Sequence, residues 1–208
     1  MCARVACPAW SRGPSTSPLD AAMRRVWLIA LFAVVVLPRS AAGGDSSANF
    51  LVKLFMDVCI PNVGAPQKVR AWAEEHRLQE ITNPIALDVF VGPGGKGGAW
   101  AVPSSVGSFA LSIRGRTEAC AVWARAANPP AVEALFRTIL EAVSRPGVDV
   151  SIEKDSHDQS PSGTIHTLIY RVSGTEKQRG GFLYTMQTAE HAGGPFQASV
   201  QAARFSTP

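Results

Sequence analysis

Apolar side chains recur every three or four residues in three parts of the chain, which is the spacing of one buried face of an α-helix. The three parts are residues 50–58, residues 66–76 and residues 129–143. Prolines follow the first and the third part, at Pro61 and Pro146, and a proline does not continue a helix. The pattern therefore predicts two N-terminal helices and one central helix.

Elsewhere apolar and polar residues alternate with a period of two, which is typical of strands with one buried face. Residues 109–113 and 120–124 flank a turn near Gly115 and predict a hairpin. Further strand-like runs lie at residues 85–91, 148–153, 166–172, 182–186 and 196–200. Short connections favour antiparallel pairing. We expect a single α+β domain at residues 49–208, with its helices packed on a mainly antiparallel sheet of about six to seven strands.

Residues 23–42 have the three-part layout of a secretory signal peptide. Two arginines precede an uncharged apolar run at residues 26–37, and small residues follow it at Ser40 and Ala42. The run makes about 18 Å of helix, which is too short for a hydrocarbon core of about 30 Å. We expect cleavage after Ala42, or alternatively after Gly43, and no stable membrane anchor after cleavage.

The segment before Met23 lies upstream of this complete signal peptide. Residues 1–22 contain three prolines and no apolar periodicity, so we interpret them as a start-site artefact or a disordered extension. Residues 43–48 are rich in glycine and serine and predict a short mobile lead before the domain. The protein is therefore expected to be exported, and to be periplasmic or secreted.

The basic character of the whole chain comes from its leader. The formal net charge is +4, but residues 1–42 contain five arginines and a single acidic residue. The remaining chain has 15 basic and 15 acidic side chains, so its formal net charge is zero. Without a basic excess to displace counterions, binding to nucleic acid or to an anionic membrane surface is not expected.

Two cysteines lie after the leader, Cys59 and Cys120. In an exported chain the simplest expectation for two cysteines is one disulfide. The alternatives are a catalytic thiol or a pair of metal ligands, but neither cysteine has the C-x-x-C or Cys–His spacing of such sites.

The glycine-rich segment 92–97 satisfies the G-x-G-x-x-G pattern of dinucleotide-binding sites. Such a site needs a helix directly after the glycines, and the chain instead continues through Trp100 to Pro103. It also lacks the Ser or Thr that follows the lysine of a P-loop. We interpret the segment as an inter-strand loop and expect no nucleotide or other cofactor.

The best candidates for chemistry lie at residues 153–166. Asp155, His157 and Asp158 precede a strand that carries His166. Carboxylates and imidazoles together can ligate a metal or perform acid–base catalysis. Charged residues that lead into a Ser-Pro-Ser-Gly sequence are more commonly a solvated hairpin tip, which is the interpretation we favour.

Trp100 and Trp123 are the candidate binding surface, provided that both prove solvent-facing and adjacent. Together these patterns favour an exported protein that acts by binding another protein or an envelope component, without catalysis. The alternative is a metal-assisted or acid–base hydrolase that uses residues 153–166. A second alternative is a secreted inhibitor or immunity-type protein, which the sequence does not separate from other binding proteins.

Overall fold

An open sheet of eight antiparallel strands organises the fold, in the order β1-β2-β3-β4-β8-β7-β6-β5. The computed structural model describes residues 42–115, 117–161, 163–174 and 180–206. The strands are β1 (Gln79–Glu80), β2 (Gly97–Val102), β3 (Phe109–Arg114), β4 (Ala119–Ala124), β5 (Val148–Ser160), β6 (Gly163–Gly174), β7 (Gly181–Ala189) and β8 (Ala198–Phe205). The helices are α1 (Ala42–Leu54), α2 (Ile60–Asn62), α3 (Pro66–Glu75), α4 (Pro84–Val91) and α5 (Pro129–Val143), with a π-helical segment, Phe55–Cys59, between α1 and α2.

The α+β class, the antiparallel sheet and the three periodic helices are confirmed, with slightly more strands than expected. Helix α5 begins where predicted because Asn128 caps it, its side-chain oxygen accepting from the N–H of Ala131 at 3.2 Å. Pro129 and Pro130 occupy the first helical turn, where the missing N–H groups cost no hydrogen bond. Within the described residues, no helix is long and apolar enough to cross a membrane.

Most of the core lies between the sheet and helices α1, α3 and α5, on what is called here the helix face. Its largest fully buried side chains include Phe55, Phe136, Leu111 and Met186. A smaller cluster around Trp123 lies on the opposite face, called the outer face, where Phe90 of α4 covers β3 and β4. The period-two pattern of the strands therefore separates two layers of packing on opposite sides of the sheet.

The disulfide between Cys59 and Cys120 is present, with a Cα–Cα distance of 5.3 Å. It joins the π-helical segment to β4 on the helix face, and both cysteines are buried. A π-helical turn contains more residues than an α-helical turn, so the segment changes the phase of the buried face. Phe55, Val58 and Cys59 of this segment are all buried in the core.

Three local expectations are corrected by the structure. Residues 85–91 form helix α4 instead of a strand, because Asn83 caps the segment and Pro84 begins it. Residues 43–48, expected as a non-helical lead before the domain, belong to helix α1, in which the hydroxyl of Ser47 donates to the carbonyl of Val106 and Ala48 is buried. Residues 155–158 lie within β5, so the hairpin tip is confined to the turn after Ser160. The predicted leader lies outside the described residues except for Ala42.

Candidate functional site

A β-bulge in β5 decides which of the candidate residues come together. The even-numbered residues of β5 face the helices as far as Ile152, which pairs with Tyr170. The register then shifts by one residue before Lys154. Because successive side chains of a strand point to opposite faces, the shift moves Asp155 and His157 to the helix face. His157 becomes the direct cross-strand partner of His166.

His166 lies between two carboxylates. Its Nε2 is 2.8 Å from Asp155 Oδ1 on β5, and its Nδ1 is 3.3 Å from Glu133 Oε2 on α5. The imidazole side chain is only 13% exposed, whereas the Asp155 side chain is 43% exposed. The ring therefore links the long β5–β6 hairpin to the central helix through both of its nitrogens.

Arg137 fixes the orientation of Glu133. Its Nε and Nη2 both donate to Glu133 Oε1, at 3.0 and 2.8 Å, and its Nη1 donates to the hydroxyl of Tyr170 at 2.9 Å. The hydrogen bond to Glu133 raises the pKa of Arg137 above its ordinary value. The second oxygen of Glu133 thus stays directed at His166.

The two histidine rings at the site are stacked. The ring centroids of His157 and His166 lie 4.2 Å apart, and their planes differ by 7°. Polar atoms of Asp155, His157 and His166 all lie within 4.8 Å of one another. His157 is exposed, and no hydrogen bond to another described residue holds its ring. The site thus consists of one anchored imidazole, one imidazole that can turn, and one carboxylate.

Asp158 does not join this group. It pairs with Ile165 in the sheet register and accepts a hydrogen bond from the hydroxyl of Ser156 at 3.1 Å. Both residues are even-numbered positions after the bulge and therefore face away from the helices. Glu133, by contrast, is a member of the site that the sequence did not reveal, since its only sequence signal is an i, i+4 pairing with Arg137.

No family model matches this chain. No curated protein and no solved structure matches it either. The site must therefore be interpreted from its own residues.

The two remaining histidines lie apart from the site. His76 ends α3, where its ring stacks on Trp72 with centroids 3.9 Å apart and its Nδ1 lies 2.8 Å from the Trp72 carbonyl oxygen. His191 is exposed after β7, and its Nε2 lies 3.8 Å from Glu190. Neither contributes to the group on the β5–β6 hairpin.

The tryptophans do not form a binding surface. Trp100 and Trp123 are each 3% exposed and lie on opposite faces of the sheet, in different packing clusters. The indole Nε1 of Trp123 donates to the hydroxyl of Ser112 at 2.8 Å, so this N–H already has a hydrogen-bond partner within the protein. The condition on which this hypothesis depended, that both rings be solvent-facing and adjacent, is not met.

A different surface is left uncovered by the described helices. Among the described residues, no helix packs on the outer face of β5 to β8. The half-buried side chains on it include four apolar ones, Ile165, Ile169, Leu183 and Phe205, among polar ones such as Arg171, Thr185, Gln187 and Gln201. At one end, a depression of about 200 Å³ is lined in part by Ile165, Gln187 and Phe196.

Proposed function

We propose that this protein is exported and acts by binding another protein or an envelope component through the outer face of β5 to β8. The observation that carries the proposal is a group of four half-buried apolar side chains, Ile165, Ile169, Leu183 and Phe205, on an outer face that the described helices leave open. Antiparallel sheets commonly leave one face in water, where polar side chains are expected, and these four apolar side chains depart from that pattern. Apolar side chains grouped on an open face are typical of interaction sites.

Export is supported by the disulfide. Bonds between cysteines persist in oxidising compartments and are rare in the cytosol. Cys59 and Cys120 are both buried, and their bond connects elements 61 residues apart in the sequence. The fold thus uses a cross-link that is suited to a periplasmic or secreted protein, in agreement with the signal-peptide pattern at residues 23–42.

The outer face is ordered for binding. Glu153 pairs with Arg171, whose Nη2 lies 3.0 Å from the carboxylate, and the guanidinium group of Arg171 stacks over Phe205 at 4.3 Å. Phe205 in turn lies over Gly181, where an added Cβ would come within 3.0 Å of the ring. Side chains held in this way lose little freedom when a partner binds, which favours affinity.

The face is a better docking surface than the edge of the sheet. Edge strand β5 carries Glu153, Lys154 and Asp155 around its bulge. Charges and bulges on an edge strand oppose the addition of a further strand. The depression beside Ile165, by contrast, can receive one apolar anchor side chain of a partner, which is how the centre of a protein interface is commonly built.

Site-specific photo-crosslinking tests this proposal. The photoreactive residue is placed at Ile169 or Leu183 on the outer face and, as a control, at Met56, which is 42% exposed beside the helices. We expect a discrete cross-linked partner in the exported fraction from the two outer-face positions only. Ile169→Arg should then weaken binding of that partner by tenfold or more. Equal adducts from Met56, or none from the outer face, would contradict the proposal.

A second candidate function is hydrolysis at the helix face of the hairpin. It is favoured by the 4.2 Å stacking of His157 on His166 beside a carboxylate, which places acid–base groups together. The two candidates differ in the residue on which they depend: His157→Ala should abolish a hydrolytic role and leave partner binding unchanged. An inhibitor or immunity-type role remains within the first proposal, and the identity of the cross-linked partner decides it.

A further inference from the structure

The group on the β5–β6 hairpin has the donor set of a transition-metal site. We propose that Asp155, His157 and His166 bind one divalent ion of the zinc class, with Glu133 as the residue that orients His166. Two imidazoles and a carboxylate suit zinc and similar first-row transition metals, whereas calcium and magnesium prefer oxygen ligands alone. The ligands lie on the helix face, so this inference stands independently of partner binding by the outer face.

The distance between Asp155 and His166 fits such an ion. Two ligand atoms on one tetrahedral zinc, with bonds of about 2.0–2.1 Å, stand about 3.3 Å apart. Oδ1 of Asp155 and Nε2 of His166 are 2.8 Å apart. An ion can therefore take the place of the proton between them after a movement of about half an ångström.

Glu133 supplies the support that a metal-bound histidine needs. Metal-ligating histidines commonly donate their other ring N–H to a carboxylate, which fixes the tautomer and the ring orientation. Oε2 of Glu133 lies 3.3 Å from Nδ1 of His166, while Oε1 is held by two donors of Arg137. A proton on Nδ1 leaves the lone pair of Nε2 directed to the side of Asp155, where the ion would lie.

His157 completes the site by turning. In the stacked arrangement the two ring planes differ by 7°, so their in-plane lone pairs run side by side and do not meet at one point. His157 is exposed and has no hydrogen bond to a described residue that a rotation would break. Its ligand atom already lies within 4.8 Å of those of Asp155 and His166. A change of side-chain rotamer can bring it to the ion, and water can occupy the remaining position.

The experiment is a zinc titration of the purified protein in competition with a chromophoric chelator. Cobalt binding is followed in parallel by its visible d–d spectrum, which reports nitrogen and oxygen coordination. We expect one ion per chain in the mature protein, which begins after the leader. His157→Ala and Asp155→Asn should each lower the affinity for zinc by about 100-fold or more and abolish the cobalt spectrum. Glu133→Gln should lower the zinc affinity by about 10- to 100-fold.

The chain offers matched controls. His191→Ala removes an exposed histidine elsewhere, and Asp158→Asn removes a carboxylate from the opposite face of the same strand. Both should bind zinc like the wild type, and so should Ile169→Arg, whether or not that variant binds a partner. His157 and Asp155 are exposed, so their variants should remain folded. Unchanged zinc affinity in those two variants, equal losses in the controls, or no binding by the wild type would overturn the proposal.

Discussion

Breaking the disulfide should remove a large share of the stability of the fold. The bond joins Cys59 to Cys120 across 61 residues of sequence. In the chain-entropy model, release of a loop of this length costs about 4 kcal/mol at 25 °C. Typical domains have only about 5–15 kcal/mol in total. Reduced protein should therefore be only marginally stable.

Equilibrium unfolding in urea measures this effect. With a slope of about 2 kcal/mol per molar urea, a loss of about 4 kcal/mol lowers the midpoint by about 2 M. Reduction of the wild type is the cleanest perturbation, because the buried sulfur atoms stay in place. Cys59→Ala, Cys120→Ala and the double variant should each lose a similar amount, since either substitution alone already removes the cross-link.

Three results would contradict this reasoning. The first is a midpoint that moves by less than about 0.5 M on reduction, which corresponds to about 1 kcal/mol. The second is thiol titration of exported protein that finds Cys59 and Cys120 free. Additive losses in the two single variants would also contradict a shared bond, since they would indicate two independent packing defects.

Four further outcomes are expected. The mature chain should begin at Gly43, and N-terminal sequencing of exported protein that finds the leader intact would refute cleavage there. His157→Ala should change the free energy of unfolding by less than about 0.5 kcal/mol, as measured by urea denaturation without added metal. Trp123→Phe should cost about 1–3 kcal/mol, because the buried hydroxyl of Ser112 loses its donor; an unchanged urea midpoint would contradict this. A backbone hydrogen bond from Thr164 lowers the pKa of Glu190 below its ordinary 4.5. The stabilising contribution of the Glu190 carboxylate is therefore fully present above pH 4.5 and is lost as the pH falls through the lower folded pKa. The difference in unfolding free energy between the wild type and Glu190→Gln should shrink over this acidic range and stay constant above it.

Periodicity predicted most of the fold and failed where its signal is ambiguous. Residues 85–91 are continuously apolar except for Asp88, and such a run fits a strand or a buried helix equally well. The cap formed by Asn83 and the proline after it were the signals that distinguish the two. Strand β2 was missed because it begins with Gly97 and Gly98, which have no side chains to alternate.

The group of candidate metal ligands could be predicted only in part. Sequence proximity brought Asp155 and His157 together with His166, but it also included Asp158, which faces the other way. Glu133 lies on α5, 33 residues before His166, and no local pattern relates the two. Whether Glu133 reaches His166 depends on how α5 crosses the sheet, and that crossing is set by the packing of buried side chains such as Phe136.

The bulge at Glu153 decides which charged residue of β5 faces α5. Without the extra residue, the alternation of β5 would direct Lys154 to the helix face and would turn Asp155 to the outer face. With the bulge, Asp155 faces α5 and bonds His166, whose other ring nitrogen lies 3.3 Å from Glu133 on that helix. The same one-residue shift places His157 directly opposite His166, so the two histidines and the carboxylate of the candidate metal site depend on a single choice of register.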